Sequence, residues 1–362
     1  MVFTPDFPRR GTTSTPAPLS ERRRAASCDA GTRHTADTIA PARNGICRNA
    51  SWRAIALHTV HCHRPMTTPT HPAQPPIVRP FADAHTHWSY VPSRPRLEIV
   101  LRRWKARLAR RQFPAWKTIK APATTGRWIL YFMYLPQGQL SVAHQFTLER
   151  LAMEPARLMI VCASPAEHSV LDALSKRCDA LIWKELAGYD FSGYSVGLSS
   201  MASHCPGSDV FVLNDSMLGP FCALSPFMDH APWRLTGLSA SALEENHLQS
   251  FALVIRQLDA SFMDAVSEVI SQQWCYDTSD PVILLQETRL ARVASRHMSV
   301  GAYWYTDGTR HNDLTLNAPE ALIEAGFPLL KRSLLDKFAG RFQSVEAMQA
   351  LLQRLGHPAL TE

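Results

Sequence analysis

The residues best suited to chemistry lie in 209–221, DVFVLNDSMLGPF, where an apolar run ends in three polar side chains. Residues 210–213 predict a buried strand, and Asn214, Asp215 and Ser216 follow it directly. In open α/β sheets, ligands bind just beyond the carboxyl ends of the strands. A carboxylate there can hold a divalent cation and the phosphates that the cation bridges. The alternative is an ordinary turn, because Asn-Asp-Ser is also good turn chemistry.

Five other short motifs accompany this stretch in a definite order along the chain. They are GYDFSGY at 188–194, LTGL at 235–238, HLQSF at 247–251, QETRL at 286–290 and AGFPLLKR at 325–332. Together they resemble the rhamnan synthesis protein F family, which is regarded as a family of glycosyltransferases in cell-surface polysaccharide assembly. The resemblance covers roughly residues 127–340. It implies a GT-A-like fold, a nucleotide-sugar donor with rhamnose as a candidate sugar, and a polysaccharide, lipopolysaccharide or lipid-linked glycan as acceptor.

A transferase of this kind must bind the donor diphosphate and stabilise the charge that grows on it as it leaves. A metal ion held by acidic side chains usually does both. Asp215 is the candidate ligand for Mg²⁺ or Mn²⁺, with Asn214 and Ser216 beside it. The acidic pair of the GT-A class is reduced here to Asn-Asp-Ser, so the requirement for a metal stays open.

The glycine-containing segment 188–193 follows a predicted strand and is expected to be a loop at the same sheet edge as Asp215. Glycine lets a backbone approach a ligand closely, so this loop is the candidate nucleotide site. Asp190 would contact the base or ribose, and Tyr189 or Tyr194 would stack on the base. A turn packed by its aromatic side chains is the alternative. The full set of expected nucleotide contacts is Tyr134, Ser164, Gly188, Tyr189, Asp190, Asn214, Asp215, Ser216 and Lys331.

The general base must reach the acceptor hydroxyl from the side opposite the leaving group. Glu287, in a predicted helix at 282–295, matches a recurring glutamate of the family and is the candidate. The alternative is an ion pair between Glu287 and Arg289 or Arg292 on a solvated helix face. His247 and Gln249 either touch the acceptor or stabilise the fold.

Charge divides the chain into two parts. Residues 1–127 contain 22 Lys or Arg against 6 Asp or Glu, whereas residues 128–362 contain 16 against 25. The expected catalytic body is therefore acidic, and nucleic-acid binding, which needs a basic face, is not expected. The eight cysteines contain no CxxC pair, which favours reduced thiols and a cytoplasmic location. The expected location is peripheral, at the inner face of the cell membrane.

The first 80 residues hold 11 of the 26 prolines and no sustained apolar period. This composition predicts a disordered extension, or a true start at Met66. Residues 81–126 are expected to be a basic helical segment, because an apolar residue recurs with helical spacing among many arginines. Such a helix suits an anionic membrane surface; packing on the main domain is the alternative. The apolar positions are Leu97, Val100, Leu101, Trp104 and Leu108.

Strands and helices alternate from residue 127. Strands are predicted at 128–135, 158–163, 180–186 and 210–213, with helices at 141–152, 165–177 and 193–204 between them. This order predicts a GT-A-like α/β/α sandwich with a mostly parallel central sheet. Later elements include helices at 261–273 and 282–295 and strands at 249–256 and 299–305. The expected domain spans 127–340, and a C-terminal helical segment spans 341–362.

Two other functions are open. His85 and His87 form an HxH motif like the first metal motif of amidohydrolases, which need further ligands on later strands of a barrel. The protein can also be a catalytically inactive nucleotide-binding scaffold of polysaccharide assembly.

Overall fold

The computed structural model describes residues 84–165, 169–308 and 311–360, which all lie within one unit, residues 68–362. The expectations for 1–80, including the start at Met66, fall outside these ranges. The strands are β1 (His85–Ser89), β2 (Arg110–Arg111), β3 (Trp116–Lys120), β4 (Arg127–Tyr134), β5 (Arg157–Ala163), β6 (Ala180–Lys184), β7 (Ser208–Asn214), β8 (Met217–Leu218), β9 (Leu235–Ser241), β10 (His247–Leu248), β11 (Ala252–Leu258), β12 (Cys275–Tyr276), β13 (Val300–Thr306) and β14 (Leu330–Lys331).

The helices surround these strands, and a π-helical segment, Ile283–Glu287, joins two of them. They are α1 (Leu97–Ala106), α2 (Val142–Leu151), α3 (Ser169–Ser175), α4 (Tyr189–His204), α5 (Ser225–Asp229), α6 (Ala260–Val266), α7 (Ser279–Val282), α8 (Thr288–Ala294), α9 (Leu314–Asn317), α10 (Pro319–Glu324) and α11 (Val345–Arg354). None of the helices in the described ranges is both long and apolar enough to cross a bilayer.

The main sheet has the strand order β1-β13-β9-β11-β7-β4-β5-β6-β3, with β10 paired to β9. Strands β7, β4, β5 and β6 are parallel, as predicted. The sheet as a whole is mixed, because β11 lies antiparallel between β7 and β9 and both end strands are antiparallel. The protein therefore has an α/β fold. Its four central strands are parallel, so their carboxyl ends lie at one edge of the sheet, as predicted.

The centre of the sheet is covered on both faces. Trp128, Leu130 and Phe132 of β4 enter one core with side chains of α4 and α8. The alternate residues Ile129 and Tyr131 enter a second core with side chains of α2, α3 and α5. Successive side chains of a strand point to opposite faces, so a strand buried on both sides must be apolar throughout. This is the three-layer arrangement that the alternation of strands and helices predicted.

Residues 81–126 contribute more than a helix. Strand β1 pairs with β13 and strand β3 pairs with β6, at the two ends of the main sheet. The short β2 pairs with β12. This part of the chain was expected to precede a domain at 127–340, whereas its strands belong to the same sheet.

Two predicted helices differ in their limits. The segment 188–193 is not a loop, because α4 begins at Tyr189, four residues earlier than predicted. Gly193 lies inside this helix, where a Cβ atom would come within 2.2 Å of the Phe132 ring. The glycine therefore serves close packing of α4 on β4 and not an approach to a nucleotide. The helix predicted at 261–273 ends at Val266.

Replacing Gly193 with Ala should destabilise the protein. Overpacking typically costs about 1–3 kcal/mol, against a gain of at most about 1 kcal/mol in helix propensity. Thermal unfolding should show a melting temperature lowered by several degrees, whereas Ser203→Ala, on the exposed side of the same helix, should leave it unchanged. Equal melting temperatures for the two variants would show that α4 does not press on Phe132.

Candidate active site

A cavity of about 620 Å³ lies at the carboxyl ends of β4, β6 and β7. Its volume is within the range of small-molecule sites, about 300–1,000 Å³. The opposite wall comes from α7 and the π-helical segment. Of the ten residues predicted from the sequence, eight line this cavity: Tyr134, Tyr189, Asp190, Asn214, Asp215, Ser216, Glu287 and Lys331. Parallel strands end at one edge of the sheet, which is why residues far apart in sequence meet here.

Asp215 is held in one orientation by two donors to the same oxygen. The backbone N–H of Tyr134 donates to its Oδ2 at 2.7 Å, and His144 Nε2 lies 3.1 Å from that oxygen. The Ser141 backbone N–H donates to His144 Nδ1, so the proton of the neutral ring is on Nε2. His144 therefore donates to Asp215 from a buried position at the start of α2. The side chain of Asp215 is 15% exposed, and Oδ1 is the oxygen left for a ligand.

Asn214 forms hydrogen bonds with Ser216 and with Asp190, which lies at the start of α4. Its Nδ2 donates to Asp190 Oδ2 at 3.0 Å, and its Oδ1 accepts from Ser216 Oγ at 2.5 Å. Burial and, next, the nearby charge of Glu287 raise the pKa of Asp190 to about 7, against the hydrogen bonds from Phe191 and Asn214. Asp190 and Glu287 therefore resist simultaneous ionisation, as two carboxyl groups in one site do.

Glu287 closes the opposite wall at the end of the π-helical segment, a type of helix that often occurs at functional sites. Ser250 Oγ donates to its Oε2 at 2.9 Å, and His247 Nε2 lies 3.9 Å from Oε1. Burial raises the pKa of Glu287, although Lys331 and the bond from Ser250 lower it in part.

The ion pair considered as an alternative role for Glu287 does not form. Arg289 pairs with Glu268, and Arg292 pairs with Glu245. Glu287 therefore keeps its carboxylate on the cavity side.

Lys331 is the cation of the cavity lining. It lies on β14, which pairs with β8 just after Asp215 in the chain. Its Nζ donates to Asp313 Oδ2 at 3.1 Å, and that carboxylate also accepts from Gln249 Nε2 at 2.8 Å. Burial alone would raise the pKa of Asp313, but Lys331 and the bonds from Thr315 hold it below its usual value. Asp313 and Gln249 thus position the ammonium group.

Tyr134 and Tyr189 form an aromatic rim, each 43% exposed. Tyr189 has a φ of 53°, directly after Gly188 with a φ of 93°. Left-handed backbone is strained for residues with a Cβ, and such strain concentrates at functional sites. Both rings are available to stack on a planar ligand.

Two of the ten predicted residues, Ser164 and Gly188, do not reach the cavity, and neither does Tyr194, the alternative stacking residue. Ser164 is fully buried and accepts from Trp183 Nε1 at 3.1 Å. Gly188 is buried behind the lining, where its N–H donates to Asp277 Oδ1 at 3.1 Å. Tyr194 is buried in the core and donates to the Ser250 carbonyl, so it cannot stack on a base.

The amidohydrolase alternative lacks its metal ligands. His85 and His87 lie on β1, at an end of the open sheet, where their rings contact Tyr305 and Tyr303. In the part of the chain that the structure describes, no three His, Cys, Asp or Glu side chains are grouped to hold a metal ion.

Asp215 likewise has few protein side chains beside it that could bind the same metal ion. Its Oδ2 already accepts from Tyr134 and His144, so the protein offers one carboxylate oxygen there. This donor set fits a cation only if substrate phosphates complete its coordination, as is usual for Mg²⁺. The cavity lining carries four carboxyl groups, those of Asp190, Asp215, Asp277 and Glu287, against the one ammonium group. A diphosphate would need a bound cation to offset this negative charge.

Sequence reasoning missed His144, Ser250 and Asp313. For His144 a signal existed, since Ser141 and His144 have the spacing of a capping box, in which the third helical residue bonds back to the cap. Ser250 and Asp313 became recognisable only from the contacts that they make.

Comparison with known proteins gives a distant similarity of fold. No family model matches the chain, and no curated protein matches it. Solved structures of nucleotidyltransferase-like and GT-A-like enzymes are similar at low identity. A 4-diphosphocytidyl-2C-methyl-D-erythritol synthase from Anaerococcus prevotii is 10% identical with a TM-score of 0.33, over 56% of this chain and 96% of that chain.

Two further solved structures show a similarly distant likeness of fold. S. aureus TarS is 11% identical with a TM-score of 0.30, over 64% of this chain and 43% of that chain. A structure from Desulfovibrio desulfuricans that is described as a nucleotide-diphospho-sugar transferase is 13% identical with a TM-score of 0.30, over 63% of this chain and 96% of that chain. These values are too low to assign a reaction.

Proposed function

We propose that the protein is a glycosyltransferase that moves a sugar from a nucleotide-sugar donor to a cell-surface polysaccharide or lipopolysaccharide. The observation that supports this proposal is that Asp215 and Glu287 line opposite walls of one cavity, with Lys331 and two exposed tyrosines also in its lining. Rhamnose is the candidate sugar, because the sequence motifs resemble those of the rhamnan synthesis family. The proposed location is the cytoplasmic side of the cell membrane, which agrees with the five unpaired cysteines of the described residues.

The proposed roles follow the geometry of the cavity. Tyr134 and Tyr189 stack on the base, and Asp190 with Asn214 bonds the base or ribose. Asp215 would hold Mg²⁺ or Mn²⁺, and a bound cation would supply positive charge to the diphosphate. Lys331 contributes a second positive charge to the diphosphate. Glu287, on the opposite wall, accepts the proton of the acceptor hydroxyl.

A screen of nucleoside diphosphates by thermal shift, with and without Mn²⁺, tests donor binding. One nucleotide should raise the melting temperature by several degrees when it is present at about 100 times its dissociation constant. The increase should be larger with Mn²⁺, because the cavity lining is acidic. If no nucleoside diphosphate stabilises the protein under either condition, the proposed donor is wrong.

A second candidate is an inactive nucleotide-binding scaffold. The single carboxylate in Asn-Asp-Ser favours it, since an acidic pair would bind a catalytic metal more strongly. A scaffold would show the same thermal shift but no hydrolysis or transfer of any nucleotide-sugar. Turnover with the nucleotide-sugar that stabilises the protein therefore separates the two candidates.

A further inference from the structure

Helix α1 turns its apolar side chains to the solvent. The outward face of α1, defined as Leu97, Val100, Leu101, Trp104 and the following Leu108, has side chains between 45% and 79% exposed. Ile99 and Ala106, on the other side of the helix, are the residues that are buried. Single exposed apolar residues are ordinary, but five on one helical face form a patch of the kind that marks an interaction site.

Buried polar bonds fix this orientation. Arg103 Nε donates to the carbonyl of Leu284 at 2.8 Å, and Arg103 Nη2 donates to Thr288 Oγ1 at 2.8 Å. Arg103 also pairs with Glu245, whose side chain is fully buried and which pairs with Arg292 as well. Rotating α1 to bury its apolar stripe would break these three contacts and take away one of the two arginine partners of the buried carboxylate, which is unfavourable. The outward face is therefore exposed as a consequence of how the helix is attached.

Positive charge surrounds the outward face. Residues 94–111 contain a single acidic residue, Glu98. The exposed basic residues are Arg94, Arg96, Arg102, Lys105, Arg107, Arg110 and Arg111. Arg102 is partly neutralised, because it lies 3.8 Å from Glu244 and from Asp280, and Arg110 lies over the uncharged ring of Trp274. The others leave the patch strongly cationic.

We propose that the outward face of α1 docks on an anionic lipid surface, with the helix lying in the plane of the interface. Apolar side chains would enter the boundary between headgroups and acyl chains, while arginines and lysine contact the acidic headgroups. A second copy of the chain that met this face through its own α1 would bring the same positive charge and be repelled. Residues 1–83 contain eleven Arg against five acidic residues, so they too lack the complementary charge.

Helix α1 is attached to the segment that forms one wall of the cavity. The carbonyl that Arg103 contacts belongs to Leu284, and the preceding Ile283 lines the cavity and is 41% exposed. The proposed docking does not depend on the reaction, and its test measures binding alone.

Flotation of the full chain with lipid vesicles tests the proposal. The protein should float with vesicles of phosphatidylcholine and phosphatidylglycerol, and much less with phosphatidylcholine alone. Binding should fall at 1 M salt, because the screening length shortens from about 10 Å at 0.1 M to about 3 Å. The double variant L101E/W104E should lose binding by at least about tenfold, since it places charge at the interface. Met153→Glu, at an exposed position outside α1, is the matched control.

A charge-reversed variant tests the electrostatic part. Lys105→Glu with Arg107→Glu should weaken binding by about fivefold for each basic side chain lost. Arg103 must stay unchanged, because its replacement would remove one of the two arginine partners of the buried Glu245. The melting temperatures of all variants should match the unchanged protein, since the substituted side chains are exposed.

Two results would overturn the proposal. One is equal flotation of L101E/W104E and the unchanged protein with anionic vesicles. The other is a failure of the full chain to float, together with self-association in sedimentation that L101E/W104E abolishes. That second result would identify the outward face as a contact between copies of the chain.

Discussion

Replacing Glu287 with Gln should lower the rate of sugar transfer by about 10²–10⁴-fold while leaving donor affinity unchanged, as expected for the loss of a general base. Gln keeps the size of the side chain and its bond with Ser250, so the cavity should be preserved. The rate is best measured in single-turnover assays with saturating nucleotide-sugar, and affinity by titration calorimetry. Glu268→Gln, at a partly exposed carboxylate that pairs with Arg289 and Arg296, is the matched control and should behave like the unchanged protein.

The pH dependence of the unchanged enzyme gives an independent check. Burial raises the pKa of Glu287, so the ionised base is lost at a higher pH than for an exposed glutamate. Transfer should therefore fall as the pH decreases through this raised pKa, and the Gln variant should lack that limb. A large loss in Asp190→Asn combined with normal transfer in Glu287→Gln would assign the base to Asp190, whose pKa is about 7.

Replacing Asp215 with Asn should weaken binding of the nucleoside diphosphate in the presence of Mn²⁺ by about two orders of magnitude, the upper range for a lost charge-assisted contact. Asn retains an oxygen that accepts from Tyr134 and His144, so the variant should fold normally. Ala would leave those two donors unpaired, at a cost of about 1–3 kcal/mol each if both stay buried. The substitution to Asn therefore separates loss of charge from loss of fold.

The stabilisation by Mn²⁺ should also disappear in Asp215→Asn. Asp264→Asn, on the exposed side of α6, should keep both the affinity and the effect of Mn²⁺. Thermal shift at fixed nucleotide concentration measures both. If Asp215→Asn binds the nucleotide with normal affinity and normal dependence on Mn²⁺, Asp215 does not hold a cation. The two carboxylates are thus expected to fail in different assays, Asp215 in donor binding and Glu287 in turnover.

The sequence was sufficient for the centre of the fold. A strand buried on both faces has to be apolar along its whole length, and β4, β5 and β7 carry that signal without interruption. Because parallel strands end at one edge, the predicted strand ends alone place together Tyr134, the last residue of β4, and Asp215, which follows β7. The order of the remaining strands does not follow from such spacing. The antiparallel β11 pairs with β7 through contacts that local patterns do not encode.

Local patterns also misjudged the start of α4. Glycines at 188 and 193 suggested a loop, since glycine is the usual residue of turns. Gly193 has a different role, because it lets the helix approach Phe132 more closely than a Cβ atom would permit. Which of these roles a glycine has depends on what lies opposite its backbone. That neighbour is about 60 residues away in the chain.

The sequence by itself determined that α1 is an amphipathic helix and that acidic side chains follow the central strands, because both are consequences of residue spacing. Only the tertiary structure decided which side of α1 faces the protein. The contacts of Arg103 with Glu245, Leu284 and Thr288 outweigh the apolar stripe, since breaking a buried ion pair is costly. In the same way, the orientation of Asp215 is decided by His144 and Tyr134, and the position of Lys331 by Asp313. Each of these contacts joins residues that are distant in sequence and become neighbours only when the chain folds.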